Sequence, residues 1–587
     1  MKKQRLTIGL LIIFLLGQID VWGQRHEGKF PPVFKLEDIN GTNGYIIQGL
    51  HDFSQQINGK GDVNGDGVKD VLIGNLFLEG YSQRDQVYII FGNKEKRPQV
   101  VDPLHINSSN GVIVNPGMLD SFGLYVSVIG DINKDGIDDM LISNEYQDNF
   151  LCVLFGRKHW STPIVITDLM DGKNGFFIEG DSNLYVTAIS PAGDINGDGI
   201  DDILMGVGGN NNIQNAGQSY VVFGSKGSWP AVINLKDING NNGFIINGIY
   251  AKDESGYSVS GAGDFNGDGI SDVIIGAPFA NNGQGQSYIV FGSKGPWPAT
   301  IDLGNLDGSN GLTIYGIDSS DLTGYSVSGA GDINGDDFDD VIIASNNNDI
   351  YVVFGNNATW PPLIDLSNLN GKNGFVLRGL YKRGPFSVSG AGDFNADNIT
   401  DIIIGTTDAY IDEGYFRRQG YVVFGNKNMW PAEINLNGLN GTGLNGTNGF
   451  IINGSFNNMH VRYVVDGIGD VNGDSVDDIL IGESYGANPH NGVPRNGYVL
   501  FGCCGEVPPP PLSPIEPLHN SLALGLGIGF GAVGLITAGV VYYWWHYDDP
   551  VIGADDIAEG PINVDPEKTL LIPIDAPPSG VGWMTSS

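Results

Sequence analysis

The chain has 587 residues, with 30 Lys+Arg against 67 Asp+Glu for a formal charge of −37, and is 41% hydrophobic and 17% charged. That balance is enough to bury a large core and excludes a disordered polyelectrolyte. The negative surplus repels nucleic-acid phosphates, so no nucleic-acid partner is expected. The 89 glycines follow no every-third-residue period, which excludes collagen; beside β-branched and aromatic residues they point to many short strands joined by tight turns.

In chain order, Lys2, Lys3 and Arg5 precede an apolar stretch, Leu6–Leu16, and Val21 and Gly23 are small enough for a cleavage site. Residues 1–23 therefore read as a secretory signal peptide, too short in their apolar part to span a bilayer. Pro31–Gly49 follows and aligns without gaps to Pro230–Gly248. The organising feature comes next: Asp-x-Asn-x-Asp-x-x-x-Asp occurs seven times, starting at Asp62, Asp131, Asp194, Asp264, Asp332, Asp393 and Asp470, with a mean spacing of 68 residues.

Each copy follows a short alternating run such as Tyr257-Ser-Val-Ser260 and precedes an apolar one such as Asp272-Val-Ile-Ile-Gly-Ala277. A third run ends in Phe-Gly, as in Ser287-Tyr-Ile-Val-Phe-Gly292, and a loop, usually with Trp-Pro, leads to a fourth such as Gly243-Phe-Ile-Ile-Asn-Gly248. Four short strands per repeat without helical periodicity predict one blade each of an all-β, seven-bladed β-propeller spanning 31–502. The N-terminal element should supply the fourth strand of the last antiparallel blade and close the ring, leaving no edge exposed. Trp229, Trp297, Trp360 and Trp430 recur before proline and read as packing wedges.

Beyond the repeats, 503–521 is a proline-rich linker. Residues 522–545 form an uncharged apolar run long enough to cross a membrane as one helix, ending in an aromatic cluster from Tyr542. Residues 546–587 form an acidic, proline-containing tail expected inside the cell and disordered, where Leu570-Leu-Ile-Pro-Ile574 could dock an intracellular partner. Three cysteines are too few for a disulfide framework. Cys152 lies in an apolar run and reads as core, and Cys503 and Cys504 follow the last strand.

The Phe-Gly strand ends, runs such as Gly276-Ala-Pro278, and the Asp-x-Asn-x-Asp-Gly-x-x-Asp loops between first and second strands resemble FG-GAP repeats, which build the seven-bladed head of integrin α subunits. The resemblance covers roughly Pro31–Gly502 and implies an extracellular head that binds ligands. Integrin α chains place several leg domains between head and membrane and carry a juxtamembrane Gly-Phe-Phe-Lys-Arg. Here only the linker intervenes and that motif is missing, so the resemblance implies an integrin-head-like surface protein rather than one half of an integrin heterodimer.

The loop chemistry stands without the family. Side-chain oxygens at positions 1, 3, 5 and 9 and a carbonyl at 7 can converge on a hard cation, and calcium accepts six to eight oxygens in a flexible geometry. The ligands are Asp62, Asn64, Asp66, Val68 and Asp70 in the first loop and Asp131, Asn133, Asp135, Ile137 and Asp139 in the second. The third uses Asp194, Asn196, Asp198, Ile200 and Asp202; the fourth, Asp264, Asn266, Asp268, Ile270 and Asp272. The fifth uses Asp332, Asn334, Asp336, Phe338 and Asp340; the sixth, Asp393, Asn395, Asp397, Ile399 and Asp401; the seventh, Asp470, Asn472, Asp474, Val476 and Asp478. Up to seven structural calcium ions are expected. Position 6 needs positive φ and is Gly67, Gly136, Gly199 and Gly269 in the first four loops, then Asp337, Asn398 and Ser475.

Function is expected where the repeats differ. The loops joining second and third strands (75–86, 144–149, 207–218, 406–419 and 483–496) should crowd the face opposite the aspartate loops. They and the neighbouring loops carry Phe77, Tyr81, Tyr146, Tyr381, Arg383, Tyr410, Tyr415, Phe416, Arg417, Arg418 and Tyr485, residue types enriched at binding hot spots. This predicts a non-enzymatic cell-surface propeller that recognises an extracellular protein or matrix ligand, with a carbohydrate-binding lectin as the alternative. The Gly-Tyr-Ser-Val-Ser-Gly runs at 256 and 324 lack the strand-to-helix context of a nucleophile elbow. No catalytic residue is assigned.

Overall fold

The computed structural model describes residues 30–503 except 55, 77–84, 118–121, 145–149, 181–184, 209–215, 381–384, 407–408, 413–414, 418, 438–442, 455–460 and 486–494. The signal segment, the linker beyond Cys503, the apolar run 522–545 and the tail lie outside the described residues. Among the described residues no helix is long and apolar enough to cross a membrane.

The fold is an all-β β-propeller. The described strands form seven sheets of four to six strands and one two-stranded hairpin, Ala409–Asp412 with Tyr415–Arg417. Six sheets contain the full antiparallel meander of four. In the fourth repeat it runs Ser258–Gly263, Asp272–Ala277, Gln286–Val290, Gly311–Tyr315. Near-continuous apolar runs such as Asp272–Ala277 are buried along their whole length, as strands covered on both faces must be. The N-terminal strand Gly44–Leu50 pairs antiparallel with Arg495–Leu500 and so completes the last sheet.

The first repeat corrects the expectation of seven four-stranded blades: among the described residues six blades are complete and the first repeat does not form a seventh. Its sheet has three antiparallel strands, Val71–Asn75, Gln86–Ile90 and Gly111–Asn115. The segment Gln56–Asn58, which should be its innermost strand, pairs in parallel with Tyr125–Ser127 of the next repeat. Isolated bridges at its flanks, Phe53–Asn75 and Gly61–Asp70, and the Ser54 N–H on the Gly74 carbonyl tie this stretch to its own sheet. Polar side chains replace the missing ladder. The Gln56 amide donates to the Ile189 carbonyl and accepts the Ile189 N–H, and buried Asp466 accepts the Gly59 N–H at 2.6 Å.

A second departure is that the loop after Trp-Pro contains a strand. Val232–Asn234 lies parallel to Phe177–Glu179 of the preceding repeat before the chain returns to its own fourth strand, Gly243–Asn247. The same reach-back occurs on the other sheets, and the N-terminal Val33–Lys35 makes it on Ile451–Asn453. Each repeat thereby clasps the one before it.

The tryptophans are the wedges of this clasp. Trp229, Trp297 and Trp430 stack on Phe176, Phe244 and Phe375 of the preceding fourth strand, with centroids 4.2–4.6 Å apart and planes within 6°. The fourth repeat has Leu312 at that strand position, and Trp360 stacks on Phe265 instead, at 4.7 Å. Phe30 takes the role on Phe450 (5.0 Å, 8°), and Arg97 lies over Tyr45 at 5.2 Å. Cys152 is fully buried in the strand Phe150–Leu154, as its surroundings predict. Because Trp430 is buried, Trp430→Ala should cost about 3–5 kcal/mol and lower the midpoint of thermal unfolding followed by circular dichroism.

Candidate functional site

Each aspartate loop joins the first and second strands of its repeat, and all seven have one hydrogen-bonding scheme. The position-1 carboxylate accepts the N–H of position 5 at 2.9–3.1 Å and of position 6 at 2.7–2.9 Å. The position-5 carboxylate accepts the N–H of position 7. Position 6 is left-handed in every loop, including Asp337 (φ 71°), Asn398 (φ 62°) and Ser475 (φ 73°). The last three loops therefore keep the geometry of the glycine-containing ones, at the cost of strain on a residue with a Cβ.

The position-9 aspartates are buried and bind backbone. Each accepts the N–H of the glycine in its repeat's Phe-Gly: Gly92 to Asp70, Gly156 to Asp139, Gly224 to Asp202, Gly292 to Asp272, Gly355 to Asp340, Gly425 to Asp401 and Gly502 to Asp478, all at 2.7–2.9 Å. The second oxygen accepts the position-2 N–H in six loops and that of Asn266 in the fourth. A Cβ on any of these glycines would stand 2.1–2.3 Å from the position-8 carbonyl, which is why the residue after Phe has no side chain. The sequence displayed this glycine in every repeat; what it lacked was the partner that explains it.

Among the described residues no group of three or more His, Cys, Asp or Glu is gathered as a metal site. Two observations nevertheless fit a cation there. The Oδ1 atoms of Asn64 and Asn395, both at position 3, are buried without a hydrogen-bond partner. All seven position-9 carboxyls are held far above the carboxylate range by burial, with repulsion from neighbouring loop aspartates adding to it; Asp70, Asp202 and Asp272 are pushed up to about 8. An orphaned acceptor oxygen and crowded, desolvated carboxylates both lack a positive charge. The donor set is all oxygen, which suits calcium.

The opposite face carries the connections between second and third strands and between fourth and next first strands. Of the residues assigned to it from sequence, Phe77, Tyr81, Tyr146, Tyr381, Arg383 and Arg418 lie outside the described residues, while Tyr410 and Phe416 pair across the small hairpin. Sequence reasoning missed a cluster around the third to fifth repeats. Tyr250 (71% exposed), Tyr185 (49%) and Phe279 (38%) stand in these connections. Tyr257 lies 6.1 Å from Phe279 and 5.0 Å from Tyr325. The serines of the Gly-Tyr-Ser-Val-Ser-Gly runs bond to backbone carbonyls: Ser260 to Gly261 and Ser328 to Gly329.

A family profile for the FG-GAP repeat matches residues 185–222 and 255–290. The chain carries FG-GAP repeats. Its relatives include integrin alpha pat-2 of Caenorhabditis elegans, 28% identical over 240 residues (38% of this chain, 18% of that one), and integrin alpha-5 of Xenopus laevis, 23% identical over 248 residues (40% and 21%). A phosphatidylinositol-glycan-specific phospholipase D of Dictyostelium discoideum is 27% identical over 313 residues (47% and 31%). The chain thus spans less than a third of the length of each of these relatives. The first profile match ends in the third FG-GAP strand at Val222 and the second at Val290, just before Phe-Gly in each case. Ser475→Gly should relieve the left-handed strain of the seventh loop and stabilise the chain by about 1 kcal/mol, read as a raised thermal midpoint.

Proposed function

We propose that this chain is an integrin-α-like, calcium-stabilised propeller that recognises an extracellular protein or matrix ligand without catalysing a reaction. It is displayed outside a membrane by a signal peptide at 1–23 and a single helix at 522–545. The three-stranded sheet of the first repeat takes the place of a seventh blade in the ring, its inner segment Gln56–Asn58 being given to the next repeat. The integrin alpha relatives and the FG-GAP repeats support the head-like reading. The phospholipase relative shares 31% of its length with this chain, a part that serves scaffolding or recognition here.

The observation that carries the reading is the set of exposed aromatics Tyr185, Tyr250 and Phe279 in the connections opposite the aspartate loops, with Phe279 packed on Tyr257. Among the described residues these exposed aromatics fall in neighbouring repeats, whereas a propeller lectin would repeat its pocket from blade to blade. Exposed aromatics on connections fixed by a rigid sheet scaffold are the usual anchors of protein recognition. Replacing Tyr250 and Phe279 together by serine should weaken adhesion of propeller-coated beads to extracellular-matrix proteins about 30-fold, matching a hot-spot loss of about 2 kcal/mol, with an unchanged melting curve. Undiminished adhesion would move the site elsewhere, and binding on a glycan array lost in the same variant would favour the lectin.

Calcium acts here as a ligand of the folded chain, adding about 2.7 kcal/mol per loop at a concentration a hundredfold above Kd. Chelation should therefore lower the melting temperature. Without calcium, the folded chain keeps protons on Asp70, Asp202 and Asp272 up to about pH 8, whereas the unfolded chain releases them near pH 4. Stability of the calcium-free protein should consequently fall as pH rises from 4 to 8, and added calcium should flatten that slope. Melting curves indifferent to chelator across this range would overturn the calcium assignment.

A further inference from the structure

The aspartate loops are bonded to one another around the base of the ring. At six junctions the N–H of position 8 donates to the position-1 carbonyl of the preceding loop: Asp138 to Asp62, Ser271 to Asp194, Asp339 to Asp264, Thr400 to Asp332, Asp477 to Asp393 and Lys69 to Asp470, at 3.0–3.4 Å. A return bond depends on the side chain at position 8. Asp138, Asp201, Asp339 and Asp477 accept the position-1 N–H of Asp62, Asp131, Asp264 and Asp393 at 2.7, 3.0, 2.8 and 2.9 Å. At the other three junctions position 8 is Ser271, Thr400 or Lys69, and Lys69 carries an ammonium that reaches the Asp138 carboxylate at 3.4 Å.

We propose that the four position-8 aspartates couple calcium binding between adjacent loops, dividing the ring into cooperative groups of loops one to three, four and five, and six and seven. Ser271, Thr400 and Lys69 are the breaks between the groups. The inference rests on the calcium reading above and concerns how the sites communicate. Position 8 lies between the carbonyl ligand at 7 and the carboxylate ligand at 9, so an ion that orders those two also fixes the carboxylate between them. That carboxylate holds the backbone of the preceding loop's first ligand through a charge-assisted bond, about twice as strong as a neutral one. Filling one loop therefore preorganises its predecessor, and linkage makes the effect reciprocal. At Ser271 and Thr400 the backbone bond persists without the charged acceptor.

The test is a calcium titration of the full chain, with hydrogen–deuterium exchange read separately on each loop peptide. Asp336→Ala disables loop five. The calcium midpoint of loop four, joined to it by Asp339, should rise about fivefold, while that of loop six, across Thr400, stays unchanged. Adding Asp339→Ala should abolish the difference between Asp336→Ala and its parent at loop four. In the opposite direction, Thr400→Asp should make loop six respond when loop five is disabled. Equal midpoints for loops four and six in Asp336→Ala would overturn the coupling and leave calcium binding intact. Loops of the unaltered chain that show no calcium-dependent protection would overturn both readings.

Discussion

The bond between a buried aspartate and the glycine of Phe-Gly is the constraint on which the base of this propeller depends. It joins the end of the aspartate loop to the end of the third strand in every repeat. The residue after that glycine then donates its N–H to the position-2 carbonyl of the preceding loop, from Asn93 to Val471 around to Cys503 to Phe394. One carboxylate therefore organises its own hairpin and, through one further residue, the junction with its neighbour. A desolvated carboxylate is a costly place to anchor a fold, and the two backbone N–H donors that each of these carboxyls accepts offset part of that cost.

The outer rim solves the same problem of joining repeats with apolar surface. The parallel strand after Trp-Pro covers what would be the exposed edge of the preceding fourth strand, removing an aggregation-prone edge, and the indole above it fills the gap between layers. The exceptions are informative because each is compensated locally. Leu312 offers no ring, so Trp360 finds Phe265; Phe30 stands in for an indole at the N-terminus; Arg97 offers a cation to the face of Tyr45. The wedge position is occupied by whatever flat or cationic group its partner accepts.

Much of this could be read from the sequence because repetition amplifies weak signals. Seven copies of one aspartate pattern located the loops, the strands around them and the ligand candidates, and the gapless match of Pro31–Gly49 to Pro230–Gly248 foretold that the N-terminal strand would finish the last sheet. The parallel fifth strand escaped because two or three residues, as in Val232–Asn234, are too few to show a period. The first inner strand escaped because its departure depends on partners far away in the chain: Gln56 bonds to Ile189, and Gly59 to Asp466. At position 8, Asp, Ser, Thr and Lys alternate without pattern until the structure places each beside the preceding loop.

The use of an N-terminal segment to finish two sheets has a consequence for how the protein is made. Val33–Lys35 waits for Ile451–Asn453, and Gly44–Leu50 for Arg495–Leu500, partners that follow 418 and about 450 residues later. At roughly 5–20 residues per second, the first strands to leave the ribosome spend tens of seconds with their hydrogen-bonding edges unmatched, while the intervening repeats can fold in turn on their immediate neighbours. Ring closure is thus a late event that reports completion: a truncated translation product, however many intact repeats it holds, keeps an unpaired strand that quality control can recognise.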